Sequence, residues 1–92
     1  ITIKLGQSQS YVAHIYDNGT EVFDKSVVWS VRNQDGTTSP AYATITASTG
    51  NSVTIKANSS STYVNRYAVL KATLPDDETV FKEFSVQLKS LF

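Results

Sequence analysis

The sequence predicts an antiparallel β-sandwich of about seven strands. Three observations carry that expectation. Apolar residues recur at every second position along most of the chain. The alternating segments are rich in β-branched and aromatic residues, which suit a pleated, half-buried surface. Short clusters of Gly, Asn, Asp and Pro separate them, as turns between strands require. No longer window carries an apolar stripe of helical period.

Taken in order, "ITIKL" sets Ile1, Ile3 and Leu5 on one face. "SYVAHIY" reads as one strand, with Tyr11, Ala13 and Ile15 opposed to Val12, His14 and Tyr16. In "SVVWSVR", Val27, Trp29 and Val31 share a side, and Val28, Ser30 and Arg32 make the poorer core. Trp29, the chain's one tryptophan, is therefore expected to plug the core rather than to hold a surface ligand. "YATIT" and "NSVTIKA" follow, the latter aligning Val53, Ile55 and Ala57. "RYAVLKATL" aligns Ala68, Leu70, Ala72 and Leu74, and "VFKEFSVQL" aligns Phe84, Val86 and Leu88. Turns are expected at Asp17-Asn18-Gly19, Asp35-Gly36, Thr49-Gly50-Asn51 and Pro75-Asp76-Asp77, and a polar loop over 57–65. The predicted core is Trp29, Val27, Val31, Ile55, Leu70, Phe84 and Val86.

The 92 residues suffice for one domain with one modest core, so 1–92 is read as a single domain. It begins at Ile1 in strand-like sequence without a methionine, which points to a piece from the C-terminal end of a longer protein. Eight basic and eight acidic residues cancel, with no basic run, so neither nucleic acid nor an anionic membrane is an expected partner. No apolar run is long enough to insert into a membrane. Polarity comes instead from 28 Ser, Thr and Asn residues. Cysteine is absent, which points to a bacterial or viral origin or to the cytosol, and leaves stability to packing and backbone pairing.

The order Val27-x-Trp29-Ser30, Ala43-Thr44-Ile45, Val53-Thr54-Ile55-Lys56-Ala57 and Tyr67-Ala68-Val69-Leu70-Lys71-Ala72 resembles a group 2 bacterial immunoglobulin-like domain. The resemblance covers roughly residues 3–88. It departs from the family pattern in two loops. "SSSTYVNRY" lacks the glycine usual before the last strands, and "VRNQDGTTSPAYATI" is longer than usual. The pattern Tyr16-Asp17-Asn18-Gly19-x-Glu21-Val22 ahead of the tryptophan strand is also similar to immunoglobulin-like modules appended to phage tail and other virion proteins.

No constellation reaches a catalytic site, and neither an enzyme nor a cofactor is expected. His14 stands alone in a strand without a nucleophile motif, and one histidine without cysteine is too few ligands for zinc. Asp17, Asp24, Asp35 and the trio Asp76, Asp77 and Glu78 occupy loops. Calcium needs several oxygens converging from loops, but no D-x-D-x-D-G run is present, and solvated turns explain them better. A glycosidase pair would need a deep cleft, which a bare sandwich seldom builds. Of the aromatics Tyr11, Tyr16, Phe23, Tyr42, Tyr63, Tyr67 and Phe81, two in polar loops, Tyr42 and Tyr63, are candidate ligand contacts. Exposed tyrosines suit sugar stacking or a protein contact; the bland reading is that they cap the core, or that Tyr67 makes a corner hydrogen bond. Asn18-Gly19-Thr20 and Asn58-Ser59-Ser60 match the glycosylation sequon, which in a bacterial or viral protein is a chance match.

The resemblance implies a non-catalytic module of a virion structural protein, at the tail or capsid surface, serving assembly, spacing or weak attachment. Its partners would be other virion or surface-protein subunits, and host cell-surface polysaccharide. Two alternatives share the fold: a stalk repeat of a bacterial surface adhesin, and an ancillary carbohydrate-binding module of a wall-active enzyme. All three imply a virion or bacterial cell surface.

Overall fold

Alternation, turn residues and the absence of helical periodicity produce nine strands and no α-helix among the described residues. The computed structural model describes residues 1–22, 25–37 and 40–91. Phe23 and Asp24 fall outside them. The strands are β1 (Thr2–Lys4), β2 (Ser8–Val12), β3 (Ile15–Asp17), β4 (Thr20–Val22), β5 (Val28–Asn33), β6 (Ala43–Thr49), β7 (Ser52–Ala57), β8 (Tyr67–Leu74) and β9 (Asp77–Lys89). One turn of 3-10 helix, Ser61–Tyr63, interrupts the polar loop before β8.

One sheet has the order β1-β9-β8-β5 and the other β2-β7-β6, with β3 and β4 forming a separate hairpin. All pairs are antiparallel except β1 with β9, where Ile3 faces Leu88 in parallel register. A three-stranded sheet of second, sixth and seventh strands facing one of fifth, eighth and ninth is the immunoglobulin-like arrangement. The molecule is an immunoglobulin-like β-sandwich.

The two extra strands arise where one was expected. "SYVAHIY" breaks after Val12, its last two residues begin β3, and the following Thr20–Val22 pairs with β3 as β4. Asn18 and Gly19 close that hairpin with φ of 52° and 81°, the double left-handed geometry of a tight two-residue turn. Gly50, at φ 57°, does the same at the start of the β6–β7 turn.

The core lies between the sheets: Ile3 and Leu5 from the first strand and its exit, Val53, Ile55 and Ala57 from β7, Ala68 and Leu70 from β8, and Val86 and Leu88 from β9. Each large aliphatic side chain fully buried here contributes about 1.5–3 kcal/mol. Of the predicted core, Ile55, Leu70 and Val86 are buried, and Val31 and Trp29 are partly buried against that cluster. Val27 and Phe84 are only partly buried and line a cleft instead. Trp29 does face inward, opposite Ala72, while Val28 on the other face is exposed. It belongs to the rim of the core, however, and is not its sealed centre.

Candidate functional site

The two ends of the sandwich are built differently, and the difference defines the site. At the end carrying the β5–β6 loop, polar side chains close the structure. Asn33 is 3% exposed, and its amide is fully engaged. Its Nδ2 donates to Thr37 Oγ1 at 2.9 Å and to the Pro40 carbonyl at 3.0 Å, and its Oδ1 accepts the Tyr42 N–H at 2.8 Å. Asp35 accepts from the Thr37 amide at 3.0 Å, the Thr37 hydroxyl at 2.6 Å and the Tyr42 hydroxyl at 2.5 Å. These bonds, led by the Thr37 hydroxyl, hold the Asp35 carboxyl down to about 2. Asn58 adds a further tie, donating to the Ala41 carbonyl at 3.0 Å and accepting the Ser60 amide at 2.9 Å.

This overturns the reading of Tyr42 as an exposed ligand contact. It is only 7% exposed, because the Asn33 amide and the Asp35 carboxylate pull both its backbone and its hydroxyl into the closed end. Tyr63 is partly buried, with its ring centroid 5.3 Å from that of Tyr42. The pair packs against the closed end of the core. Tyr67 is 40% exposed, and its carbonyl, rather than its hydroxyl, accepts the Gln34 amide at 3.0 Å. Asn58, in the second sequon match, has its side-chain amide committed to the loop.

The opposite end is open. Burial decays along β9 from Leu88 and Val86, fully buried, through Phe84 to Val80, which is half-exposed. The β8 register explains which side chains face in. Phe84 opposes Leu70 and Lys82 opposes Ala72, so Val80, Lys82, Phe84, Val86 and Leu88 form one inward row. Between this row and the chain from Tyr11 to Tyr16 lies a cleft of about 520 Å³. Val27 and Trp29 from β5, and Leu70, Ala72 and Leu74 from β8, complete its walls, and Ile1 stands at its edge. Its size is that of ligand pockets generally. Among the described residues no carboxylate lines it, so it does not supply the carboxylate pair that glycoside hydrolysis needs.

The rim is apolar and exposed. Tyr16 is 62% and Phe81 48% exposed, and Val12 and Val80 are similarly bare. Two polar atoms inside have no partner among the described residues: the Tyr11 hydroxyl and Trp29 Nε1 are both buried. Burial pushes the Tyr11 phenol above its ordinary range. Among the described residues Lys82 is the one lysine or arginine in the lining.

Asn51 positions this end. Its Oδ1 accepts the Val27 amide at 3.0 Å, its Nδ2 donates to the Lys25 carbonyl at 3.0 Å, and its own carbonyl accepts the Ala13 amide at 2.8 Å. One turn residue thus fixes both the approach to β5 and the end of β2. His14 Nδ1 lies 2.7 Å from Glu21 Oε2, a tie across the β3–β4 hairpin rather than part of a reactive group. The carboxylate of Asp77 accepts from Thr79 in its own turn, which holds it below its usual range. Asp76 and Glu78 stand exposed beside it.

Sequence reasoning missed Tyr11, Tyr16, Val80, Phe81 and Lys82 as a group. The available signal was Lys82, a charge at a core-parity position of β9, which marks a stretch of sheet left open among the described residues.

No family model matches the chain, and neither a curated protein nor a solved structure matches it significantly.

Proposed function

We propose that the domain is a non-catalytic immunoglobulin-like module of a virion structural protein, at the tail or capsid surface, that serves assembly or spacing through its open end. The observation that carries this reading is the contrast in the rim. A domain of this size leaves Val12, Tyr16, Val80 and Phe81 exposed around one apolar cleft, and clustered exposed apolar side chains mark contact surfaces. The elongated shape, 43 × 24 × 20 Å, suits a module that contacts its neighbour end-on. The virion assignment rests on the resemblance of Tyr16-Asp17-Asn18-Gly19-x-Glu21-Val22 to phage modules.

Attachment to host polysaccharide is the weaker variant, because Tyr42 and Tyr63, the tyrosines chosen for stacking, cap the core. Hydrogen exchange of the free domain against the domain within its assembled particle tests the reading. Protection is expected at 11–16 and 80–84. Protection confined to the Asp35 and Asn58 end, or none, would overturn it.

A further inference from the structure

We propose that Asn18 is a site of spontaneous modification: its side-chain amide is displaced by the Gly19 backbone nitrogen, and the isoaspartyl residue that results unfastens the β3–β4 hairpin. The reaction uses the chain itself and solvent water, and it is independent of the assembly reading above.

The atoms balance without an oxidant or a reductant. Hydroxide from solvent takes the proton of the Gly19 amide, and the nitrogen attacks Cγ of Asn18. A C–N bond forms there, the bond from Cγ to Nδ2 breaks, and ammonia leaves a cyclic succinimide. Water then opens the ring at either carbonyl. One opening gives aspartate. The other gives isoaspartate, in which the main chain runs through the side-chain carbon.

The chain has five asparagines, and their surroundings separate them. Asn18 is followed by glycine, so no side chain crowds the attacking nitrogen, and a Cβ placed on Gly19 would meet nothing within 4 Å. Both residues are exposed. Among the described residues neither the Asn18 side chain nor the Gly19 amide has a hydrogen-bond partner. The other four are engaged. Asn33, Asn51 and Asn58 have their side chains tied. After Asn65 the attacking nitrogen is taken, since the Arg66 amide donates to the Tyr63 carbonyl at 3.1 Å. Asp35-Gly36 is the acid counterpart of the same dipeptide, and it is locked at both atoms. Its carboxylate accepts from Thr37 and Tyr42, and the Gly36 amide donates to the Asn33 carbonyl at 3.2 Å.

Ring closure requires the turn to open first, because the succinimide holds the backbone outside the left-handed region that Asn18 occupies at φ 52°. That opening is local. Beneath the turn lie three pairs, Asp17 with Thr20, Tyr16 with Glu21 and Ile15 with Val22. Residues 16–20 are all exposed, and exposed pairs at the end of a short hairpin open at small cost. The product cannot refasten. A two-residue turn of this type needs positive φ at both central residues, and isoaspartate inserts an extra main-chain carbon between them. Ile15 and Tyr16, which line the cleft, lose their partners across the hairpin, and so does His14, whose Nδ1 lies 2.7 Å from Glu21 Oε2.

The test is ageing of the domain in neutral buffer at physiological temperature, followed by peptide mapping with mass spectrometry. Enzymatic methylation of isoaspartyl carboxyl groups scores that product separately. Asn18 should convert at least about tenfold faster than any other asparagine, because elsewhere a tied side chain or nitrogen must first be freed. Isoaspartate should outnumber aspartate at 18, conversion should quicken as pH rises, and Asp35 should stay unisomerised. In NMR spectra of the aged fraction, amide shifts should concentrate over 14–22 and spare Ile55 and Leu70. Asn18→Gly supplies a residue that adopts the turn without the electrophile, so it should keep the hairpin shifts and show no ageing there. Conversion at Asn58 or Asn65 as fast as at Asn18 would overturn the site. Hairpin amides that keep their shifts in the isoaspartyl chain would overturn the unfastening.

Discussion

The closed and open ends of this sandwich use the same kinds of residue with opposite results. At the closed end a buried tyrosine hydroxyl, that of Tyr42, meets the Asp35 carboxylate, and the buried Asn33 amide has every partner it requires. At the open end the Tyr11 hydroxyl and the Trp29 indole N–H are buried but meet nothing among the described residues. A buried donor without a partner costs about 1–3 kcal/mol relative to one that is paired. The closed end therefore has the construction of a finished structural element. The open end leaves two buried polar atoms without a partner among the described residues.

That contrast can be broken or sharpened by substitution. The largest effect is expected at the centre, where both ends draw on one core. Ile55 is fully buried, and Ile55→Ala should lower the unfolding free energy by about 2–5 kcal/mol in urea titration. A loss much below that range would show the core to be loosely packed throughout, and the distinction between the ends would lose its basis.

Asn51 comes next. Asn51→Ala removes the side-chain ties to Val27 and Lys25 and should cost about 1–2 kcal/mol. The amide shifts should concentrate around Val27, Trp29 and Ala13, sparing Asn33 and Tyr42. An even spread of shifts would mean that the ends are not independently braced.

The acid limb of the stability curve probes the closed end. Asp35 is held at about 2, below the ordinary aspartate value near 4. A depressed carboxyl contributes stability that is complete above the unfolded value and is lost as pH falls through the folded one. Melting temperature should thus fall between about pH 4 and pH 2 partly through this group, and Asp35→Asn should flatten that part of the curve. An unaltered acid limb would remove Asp35 from the account of the closed end.

How much of this was legible depends on what the alternation could report. It marked Ile55, Leu70 and Val86 because period-two burial is written directly into strands that are covered on one face. It also placed Trp29 on the inward side, since Val27 and Val31 flank it at the same parity. It could not show the break at Ala13 and His14, because inward and outward residues keep alternating straight through that break. The contact that holds Ala13 at the break, its amide to the Asn51 carbonyl, is remote in sequence. Tyr42 was misplaced for a similar reason. Following Pro40 and Ala41 it reads as a loop residue, and what buries it is an asparagine side chain nine residues earlier. The cleft lay within reach of the sequence at one position, Lys82, whose charge interrupts the apolar row from Val80 to Leu88.

The most direct test of the contrast deletes one oxygen atom at each end. Tyr42→Phe and Tyr11→Phe are the same chemical change, measured as two urea midpoints against the parent domain. Tyr42→Phe should lower the midpoint, since it strips the Asp35 carboxylate of a donor. Tyr11→Phe should leave the midpoint unchanged or raise it, by up to about 1 kcal/mol in stability, because it removes a buried hydroxyl that has no partner. Equal losses from both substitutions would contradict the account, showing that the open end is as fully satisfied as the closed one.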